Sequence, residues 1–276
     1  MKYKIVTDSS SNLFEFTDVD YQSVPLKIIT PKNEYIDHPN LNVGEMLEDV
    51  KEAKGHSSTS SPQANDWLAA FGDADMVFGV TVTSGLSHSF KFALEAKEIY
   101  EKEHPDRKVF IFDSLSTGPE LILIVQKISE LIHLNKTFKE IRNSVMDYMQ
   151  KTHLFFSLSN LDNLARNGRI KPALAKSASA LGFRVVGRAS YKGTLEPILM
   201  CQGQKSALKK IVHEMIATGY QGGKVIISHT QNEKSAQQLI TLLKETFGNI
   251  KIELMKNTGL CSYYAEDGGL LIGFES

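Results

Sequence analysis

The sequence predicts an α/β fold in two parts. A mostly parallel sheet with helices on both faces comes first, and a smaller α/β domain with a hairpin follows. Short β-rich runs alternate with helical patterns through the first half, which is typical of a parallel sheet covered by helices. The run MVFGV at 76–80 is continuously apolar, as expected for a strand buried on both faces. The length of 276 residues is enough for about two domains.

The elements of the first half follow from local patterns. β-rich runs indicate strands and 3.6-residue periodicity indicates helices, with Gly55 closing the first helix. Ser61 and Pro62 supply an N-cap and a first-turn proline for the helix that comes next. We therefore expect strands at 3–7, 24–29, 76–83 and 108–112, and helices at 43–54, 63–71, 86–103, 120–134 and 138–151.

The second half begins where the periodicity breaks, at 153–159. We therefore predict an N-terminal domain at 1–155 that carries hydroxyl-rich loops, and a C-terminal lid domain at 156–276. A hairpin is expected near its start, with the turn close to Lys192 and Gly193. The remaining patterns predict hairpin strands at 183–190 and 195–200, helices at 204–217 and 233–246, and strands at 224–228, 250–256 and 270–274.

Composition excludes several classes of function. The 31 Lys+Arg against 32 Asp+Glu lack the basic excess of a general nucleic-acid binder. The two cysteines form no C-x-x-C pair and the eight histidines show no H-x-H or H-x-x-x-H spacing, so we expect neither a metal nor a cofactor. The longest apolar run is 121–125, far below the ~20 residues of a membrane span. No apolar leader core follows the first residues, and we expect a cytoplasmic protein.

A run of hydroxyl side chains at 57–61 is the most informative local feature. Helix capping explains Ser61, but it does not explain four more hydroxyls in a row. In parallel sheets, ligands bind in the loops after the carboxyl ends of strands. The sequence alone therefore leaves two interpretations open for this run, a solvated capping loop and a ligand-binding loop.

A second polar loop, Thr83-Ser84-Gly85, follows the most apolar strand and leads into a helix. Backbone N–H groups at a helix N-terminus favour a carboxylate or a phosphate. Neither GxxxxGK[ST] nor GxGxxG occurs here, which disfavours a nucleotide and leaves a small anionic head group.

Two further alternatives stay open at the level of sequence. A small esterase or acyl-phosphate hydrolase would use Ser84 or Ser87 as its nucleophile, although no GxSxG elbow is present. The strongly apolar helix at 120–134 is either sandwiched in the core or lines an apolar tunnel, and Phe155 and Phe156 allow the same two interpretations.

Six segments, in order along the whole chain, resemble the DegV family of bacterial fatty-acid-binding proteins, which have the EDD fold. The chain looks like a divergent member. The segments are KIVTDSSSNL at 4–13, STSSP at 58–62, TVTSGLSHSFKFALEA at 81–96, FDSLSTG at 112–118, LDNLARNGRIK at 161–171 and GGLLIGFE at 268–275.

The resemblance implies a carrier that holds a long-chain fatty acid in a tunnel between two α/β domains and does no chemistry of its own. By resemblance, Thr59 with Ser60 stands in the family's carboxylate-binding TSQP-type loop. Ser84, flanked by Thr83 and Gly85, stands in the SSGLSG-type loop that makes the second bond to the carboxylate.

The resemblance also implies a protein partner. Arg169 matches an arginine near the ligand entrance and, in some members, near a fatty acid kinase subunit that phosphorylates the bound acid. The chain departs from the family at two positions: Tyr264 stands where many members have a histidine, and Gln202 stands where an arginine is common. Both departures weaken the expectation of a kinase partner. Thr59 and Ser84 remain, so the expectation of lipid binding is kept.

Overall fold

Strands and helices alternate along most of the chain. The computed structural model describes residues 1–180 and 182–276. The strands are β1 (Tyr3–Asp8), β2 (Asp20–Val24), β3 (Lys27–Ile29), β4 (Glu34–Ile36), β5 (Ser58–Ser60), β6 (Met76–Thr81), β7 (Lys108–Asp113), β8 (Thr152–Leu158), β9 (Phe183–Ala189), β10 (Leu195–Gln202), β11 (Val225–His229), β12 (Ile252–Lys256) and β13 (Leu270–Glu275). The helices are α1 (Val43–Glu52), α2 (Ala64–Phe71), α3 (Ser89–Glu103), α4 (Pro119–His133), α5 (Phe138–Met149), α6 (Asp162–Arg166), α7 (Pro172–Ala180), α8 (Gln204–Ala217), α9 (Glu233–Phe247) and α10 (Gly259–Ala265), with a short 3₁₀ helix at Ser9–Ser11.

A four-stranded sheet in the order β2-β1-β6-β7 lies in the first half, and all its neighbouring pairs are parallel. Successive side chains point to opposite faces of a strand. Val6 and Val77 pack with α2 and α3 on one face, and Ile5 and Phe78 pack with α4 and α5 on the other. The predicted parallel sheet with helices on both faces is therefore confirmed.

The second half contains a six-stranded mixed sheet in the order β10-β9-β8-β13-β11-β12. Only its β11–β12 pair is parallel among the described strands. The hairpin β9–β10 is confirmed, with its turn at Lys192 and Gly193. Helices α8 and α9 cover one face through a cluster that includes Phe155 and Leu239.

Helix α4 lies between the two sheets. Leu121 and Ile124 pack against the first sheet, whereas Ile122 and Leu123 form a cluster with Ile226 of β11 in the second. The helix is therefore apolar on more than one stripe because two hydrophobic layers share it. This confirms the sandwiched interpretation of this segment.

A small antiparallel sheet, β4-β3-β5, contains the first hydroxyl run and connects to the second half. Thr59 of β5 pairs with Ile28 of β3. Asp37, just after β4, is buried and accepts hydrogen bonds from the amides of Gly259 (2.7 Å) and Leu260 (3.0 Å) at the start of α10. The small sheet is thereby attached to α10, more than 200 residues later in the chain.

Several local expectations differ from the structure. The strand predicted at 24–29 is interrupted at 25–26, between β2 and β3, which belong to different sheets. The segment at 153–159, where the periodicity breaks, is the buried strand β8, and the predicted boundary at 155/156 falls inside it. Helix α10 has no counterpart among the predicted elements. Helix α2 begins at Ala64 after the N-cap Gln63, whose amide donates to Asp66 (2.7 Å), so Ser61 is not its N-cap. The division into two domains stays a prediction.

Within residues 1–180 and 182–276, no helix has both the length and the apolar content that crossing a bilayer requires. No group of three or more His, Cys, Asp or Glu side chains in these same ranges is arranged to hold a metal ion.

Candidate functional site

A cavity of about 340 Å³ lies between the loops of the first half and the inner face of the second sheet. Most of its wall is apolar, and side chains from both halves contribute to it. The apolar lining residues are Leu26, Val82, Leu86, Phe92, Leu154, Phe156, Leu158, Leu164, Leu195, Leu260, Cys261, Ala265 and Leu271. The polar lining residues are Thr59, Ser60, Ser61, Gln63, Ser87, His88, Thr117, Arg169 and Tyr264.

Alternation along β8 builds one wall of the cavity. Leu154, Phe156 and Leu158 face the cavity, whereas Phe155 between them packs into the core under α8 and α9. The two interpretations left open for Phe155 and Phe156 therefore both apply, one to each residue. None of the described residues of α4 lines the cavity.

Four hydroxyl groups of the wall form two hydrogen-bonded pairs. Oγ1 of Thr59 lies 2.8 Å from the hydroxyl of Tyr264, and Oγ of Ser61 lies 2.9 Å from Oγ of Ser87. Each hydroxyl carries one proton, and each pair uses one of its two protons internally. Each pair therefore retains one O–H that can donate to a ligand.

Two titratable side chains of the wall, Tyr264 and Cys261, are protonated at neutral pH and can therefore donate hydrogen bonds. Burial raises the pKa of Tyr264, so its phenol stays protonated at neutral pH. Burial also raises the pKa of the Cys261 thiol to about 12. The described lining includes Arg169 but no Asp or Glu side chain, so no carboxylate of the wall repels an anion.

Arg169 joins the two halves of the chain beside the cavity. Its Nε and Nη2 donate to the carbonyl oxygen of Leu86 (3.2 and 3.0 Å), and its Nη1 donates to the carbonyl oxygen of Asn167. The guanidinium carbon lies 5.9 Å from the centre of the Tyr264 ring, within the range of a cation–π contact. Arg169 therefore holds the loop before α3 and the ring of Tyr264 together.

Buried Asp8 fixes the loops on the first-half side of the cavity. Its carboxylate accepts from the amide of Val82 (2.9 Å), from Oγ of Ser89 (2.6 Å) and from Oγ of Ser10 (2.5 Å). Burial raises the pKa of the Asp8 carboxyl group, and these hydrogen bonds offset the cost of burying it. The bonds to Val82 and Ser89 position the segment between β6 and α3, which contains Ser87.

The predicted residues Thr59, Ser60 and Arg169 lie in the cavity wall, whereas Thr83, Ser84 and Gly85 do not line it. Ser84 is exposed, and its amide donates to Asp113. A role of the second loop in carboxylate binding stays a prediction, and the structure places this loop outside the cavity.

The turn of the β9–β10 hairpin packs on this second loop instead. Oγ1 of Thr83 donates to the carbonyl oxygen of Gly193 (2.7 Å). A Cβ atom on Gly85 would lie 2.7 Å from that same oxygen, so Gly85 is needed for the close approach of the two backbones.

Sequence reasoning does not place Ser61, Ser87 and Tyr264 together. Ser61 belongs to the hydroxyl run but is explained there as a helix cap, and Ser87 stands out only as a candidate nucleophile. His88 lines the cavity next to Ser87, and no histidine of the described residues makes a hydrogen bond to a serine of the cavity wall. Tyr264 belongs to the seven-residue helix α10, which is too short to show a clear period.

Comparison with known proteins identifies the family. A family model described as an uncharacterised protein of the DegV family matches residues 2–275. The chain belongs to the DegV family. A DegV domain-containing protein of Streptococcus gordonii is 40% identical to this DegV protein over 279 residues, covering 100% of this chain and 99% of the relative. The resemblance noted in the sequence is confirmed.

Solved DegV structures share the whole fold. A DegV family protein from Eubacterium eligens, loaded with heptadecanoic acid, is 40% identical with a TM-score of 0.97, covering 99% of each chain. The Fatty Acid Kinase (Fak) B3 protein of Streptococcus pneumoniae, loaded with linoleic acid, is 36% identical with a TM-score of 0.97, covering 100% of this chain and 99% of that one. The architecture of this DegV protein is therefore that of its solved relatives.

Proposed function

We propose that this protein binds one long-chain fatty acid in the cavity and carries it without chemical change. The observation that supports this most directly is the composition of the wall, which is apolar on both sides, has two hydroxyl pairs and lacks a carboxylate among the described residues. The volume of about 340 Å³ is within the range of about 300–1,000 Å³ found for small-molecule sites. The relatives from E. eligens and S. pneumoniae were crystallised loaded with heptadecanoic and linoleic acid.

Burial of the acyl chain supplies the affinity. Each buried methylene contributes about 0.8 kcal/mol, so ~15 methylenes give roughly 12 kcal/mol before the costs of ordering. Burying the carboxylate without hydrogen-bond donors would cost free energy and offset part of this gain. One free O–H from the Thr59–Tyr264 pair and one from the Ser61–Ser87 pair match its two oxygens. Ser60, also in the wall, lies between Thr59 and Ser61 on the same segment.

The test is direct binding. Protein purified from cells should show a co-purifying mass of fatty-acid size in native mass spectrometry, and delipidated protein should bind palmitate or oleate. Neither signal would be seen if the proposal were wrong.

Single substitutions then locate the carboxylate. Thr59→Ala should weaken binding roughly 10- to 150-fold, the loss expected when a hydrogen bond to a charged group is removed. Ser84→Ala is the matched control, since Ser84 is exposed and outside the wall. A large loss with Ser84→Ala and none with Thr59→Ala would place the head group at the second loop instead.

The absence of chemistry is part of the proposal. A hydrolase using Ser87 would turn over a p-nitrophenyl acyl ester, and Ser87→Ala would abolish that turnover. A carrier would show no turnover, and Ser87→Ala would reduce only its affinity for the fatty acid.

We further propose that a fatty acid kinase subunit is the protein partner. The name of the S. pneumoniae relative, a Fatty Acid Kinase (Fak) B3 protein, supports this. Arg169 in the cavity wall is the proposed contact. Mixing the kinase subunit, ATP and oleate with this protein should give an acyl phosphate. No product with wild-type protein would contradict the proposal, and Arg169→Glu should reduce the product.

A further inference from the structure

A row of residues crosses the second sheet beneath the cavity. Phe156 of β8 lies opposite Leu271 of β13 on one side and opposite Gly187 of β9 on the other, and Gly187 lies opposite Pro197 of β10. Laterally paired residues point to the same face of a sheet. Phe156 and Leu271 both line the cavity, so this row faces the proposed acyl chain.

The ring of Phe156 lies across the position of Gly187. A Cβ atom on Gly187 would lie 2.3 Å from Cζ and 2.6 Å from Cε2 of Phe156, distances at which atoms overlap. The ring therefore leans over β9 and occupies the space that a side chain at position 187 would take. It does not stand upright from β8 into the cavity.

Steric crowding, and not backbone conformation, explains why position 187 is a glycine. Gly187 lies within a regular strand and does not have a positive φ, so its conformation is open to any residue. A Cβ atom there would meet the Phe156 ring and would also lie 2.6 Å from the carbonyl oxygen of Glu196. Because Gly187 has no side chain, the Phe156 ring can lie over β9. A ring in this position occupies less of the cavity than one that points into it.

We propose that Phe156, lying over Gly187, sets the length and shape of the acyl chain that the cavity accepts. The inference rests on the proposed fatty-acid site. Phe156 is the largest apolar side chain that the second sheet contributes to the wall, and it is almost fully buried. A smaller residue at 156 adds volume for more methylenes, and a residue larger than glycine at 187 pushes the ring into the cavity.

The experiment measures a chain-length profile. Delipidated protein is titrated with saturated fatty acids of 14, 16, 18 and 20 carbons and with oleate. Each further methylene that becomes buried strengthens binding about fourfold. Phe156→Ala should therefore raise the ratio of C20 to C16 affinity tenfold or more. Phe156→Leu should raise this ratio by less. It replaces Phe156→Ala in the experiment if the alanine variant does not fold.

Phe155→Leu is the matched control. Phe155 is the adjacent residue on β8 and equally buried, but its side chain packs into the core on the opposite face. The Phe155→Leu variant should lose stability and keep the wild-type profile within about threefold.

A double-mutant comparison isolates the pair. Gly187→Ala should lower the C20 to C16 ratio in the wild-type background and have little effect on it in the Phe156→Leu background. Folded Phe156 variants with the wild-type profile would overturn this inference while leaving the proposed function intact. Wild-type protein that binds no fatty acid at all would overturn both.

Discussion

The hydroxyl of Tyr264 lies 2.8 Å from Oγ1 of Thr59, although 205 positions of sequence separate the two residues. Thr59 belongs to the small sheet of the first half and Tyr264 to α10, so the pair brings two distant segments together in the cavity wall. The same helix is capped by Asp37 at its start. The position of the hydroxyl pair therefore depends on how α10 is held.

Removing the phenol should weaken fatty-acid binding. Tyr264→Phe keeps the ring over which Arg169 lies but removes the hydroxyl that bonds Oγ1 of Thr59, so the remaining O–H of the pair is no longer held in one orientation. We expect affinity for oleate to fall about tenfold, as measured by isothermal titration of delipidated protein.

Tyr263→Phe is the control for this change. Tyr263 is fully buried beside Tyr264, and its hydroxyl bonds Ser57 and Asn167 without lining the cavity. It should lose stability and keep its affinity. Equal affinities for Tyr264→Phe and wild type would contradict a role for the phenol in binding.

Breaking the contact between Arg169 and Leu86 should speed lipid exchange. Arg169→Gln removes the pair of hydrogen bonds to the carbonyl oxygen of Leu86, which join the two halves beside the cavity. We expect the dissociation rate of a fluorescent fatty acid to rise severalfold in stopped-flow measurements, because local opening becomes easier. Exposed Lys171 is the control, and Lys171→Gln should leave the rate unchanged. Unchanged release from Arg169→Gln would argue against this contact as a barrier.

Loss of the carboxylate of Asp37 should destabilise the protein. Asp37→Ala leaves the amides of Gly259 and Leu260 buried without acceptors, at a cost of about 1–3 kcal/mol each before relaxation. Thermal unfolding should show a midpoint lower by at least about 4 °C, given roughly 2–4 °C per kcal/mol for chains of this size. Asp37→Asn retains one acceptor oxygen and should lose less. A midpoint for the alanine variant within about 1 °C of wild type, far less than the expected shift, would refute the capping role.

Glu120 should make stability depend on pH. It is buried in α4, accepts a hydrogen bond from Thr152 (2.8 Å), and burial raises its pKa to about 7. The folded state thus favours the neutral acid more than the unfolded chain does. Its contribution to the free energy of unfolding is fully present below the ordinary pKa of about 4.5 and is lost as pH rises through about 7.

Glu120→Gln keeps a neutral side chain at every pH and tests this directly. Urea unfolding at pH 5 and pH 8 should show that the variant gains at least about 1 kcal/mol relative to wild type between the two pH values. His153 and His229, whose pKa values are lowered by burial, contribute the opposite slope, but they do so equally in both proteins. A constant difference between variant and wild type would show that Glu120 does not titrate in this range.

Local patterns predict most of the fold. Continuously apolar runs identify strands such as β6, and the turn at Lys192 and Gly193 identifies the hairpin. The segment of β8 reads as a break because both of its faces are covered, one by α8 and α9 and the other by the cavity. A strand buried on both faces shows no alternation of apolar and polar residues in its sequence, so periodicity alone does not reveal it.

The cavity is only partly predictable for a related reason. Thr59 and Ser60 stand out because hydroxyls are concentrated near them. The hydroxyls that complete the two pairs, on Ser87 and Tyr264, come from a loop and from a short helix elsewhere in the sequence. Pairing across such distances is fixed by tertiary packing, which a local pattern does not contain. The loop at 83–85 has the composition of an anion site, yet Oγ1 of Thr83 donates to the hairpin turn and the backbone amide of Ser84 donates to Asp113.

The central place of β13 in the second sheet bears on how the chain is made. β13 follows every other strand of that sheet in sequence, yet it pairs with β8 on one side and with β11 on the other. A chain synthesised only as far as residue 269 lacks β13, so the edges of β8 and β11 that pair with this strand have no partner there. The wall of the cavity, with Phe156 and Leu271 side by side, is completed only when that last strand is inserted. A ribosome stalled before residue 270 would hold a nascent chain whose cavity wall lacks Leu271 and in which two strand edges are free to pair with other chains.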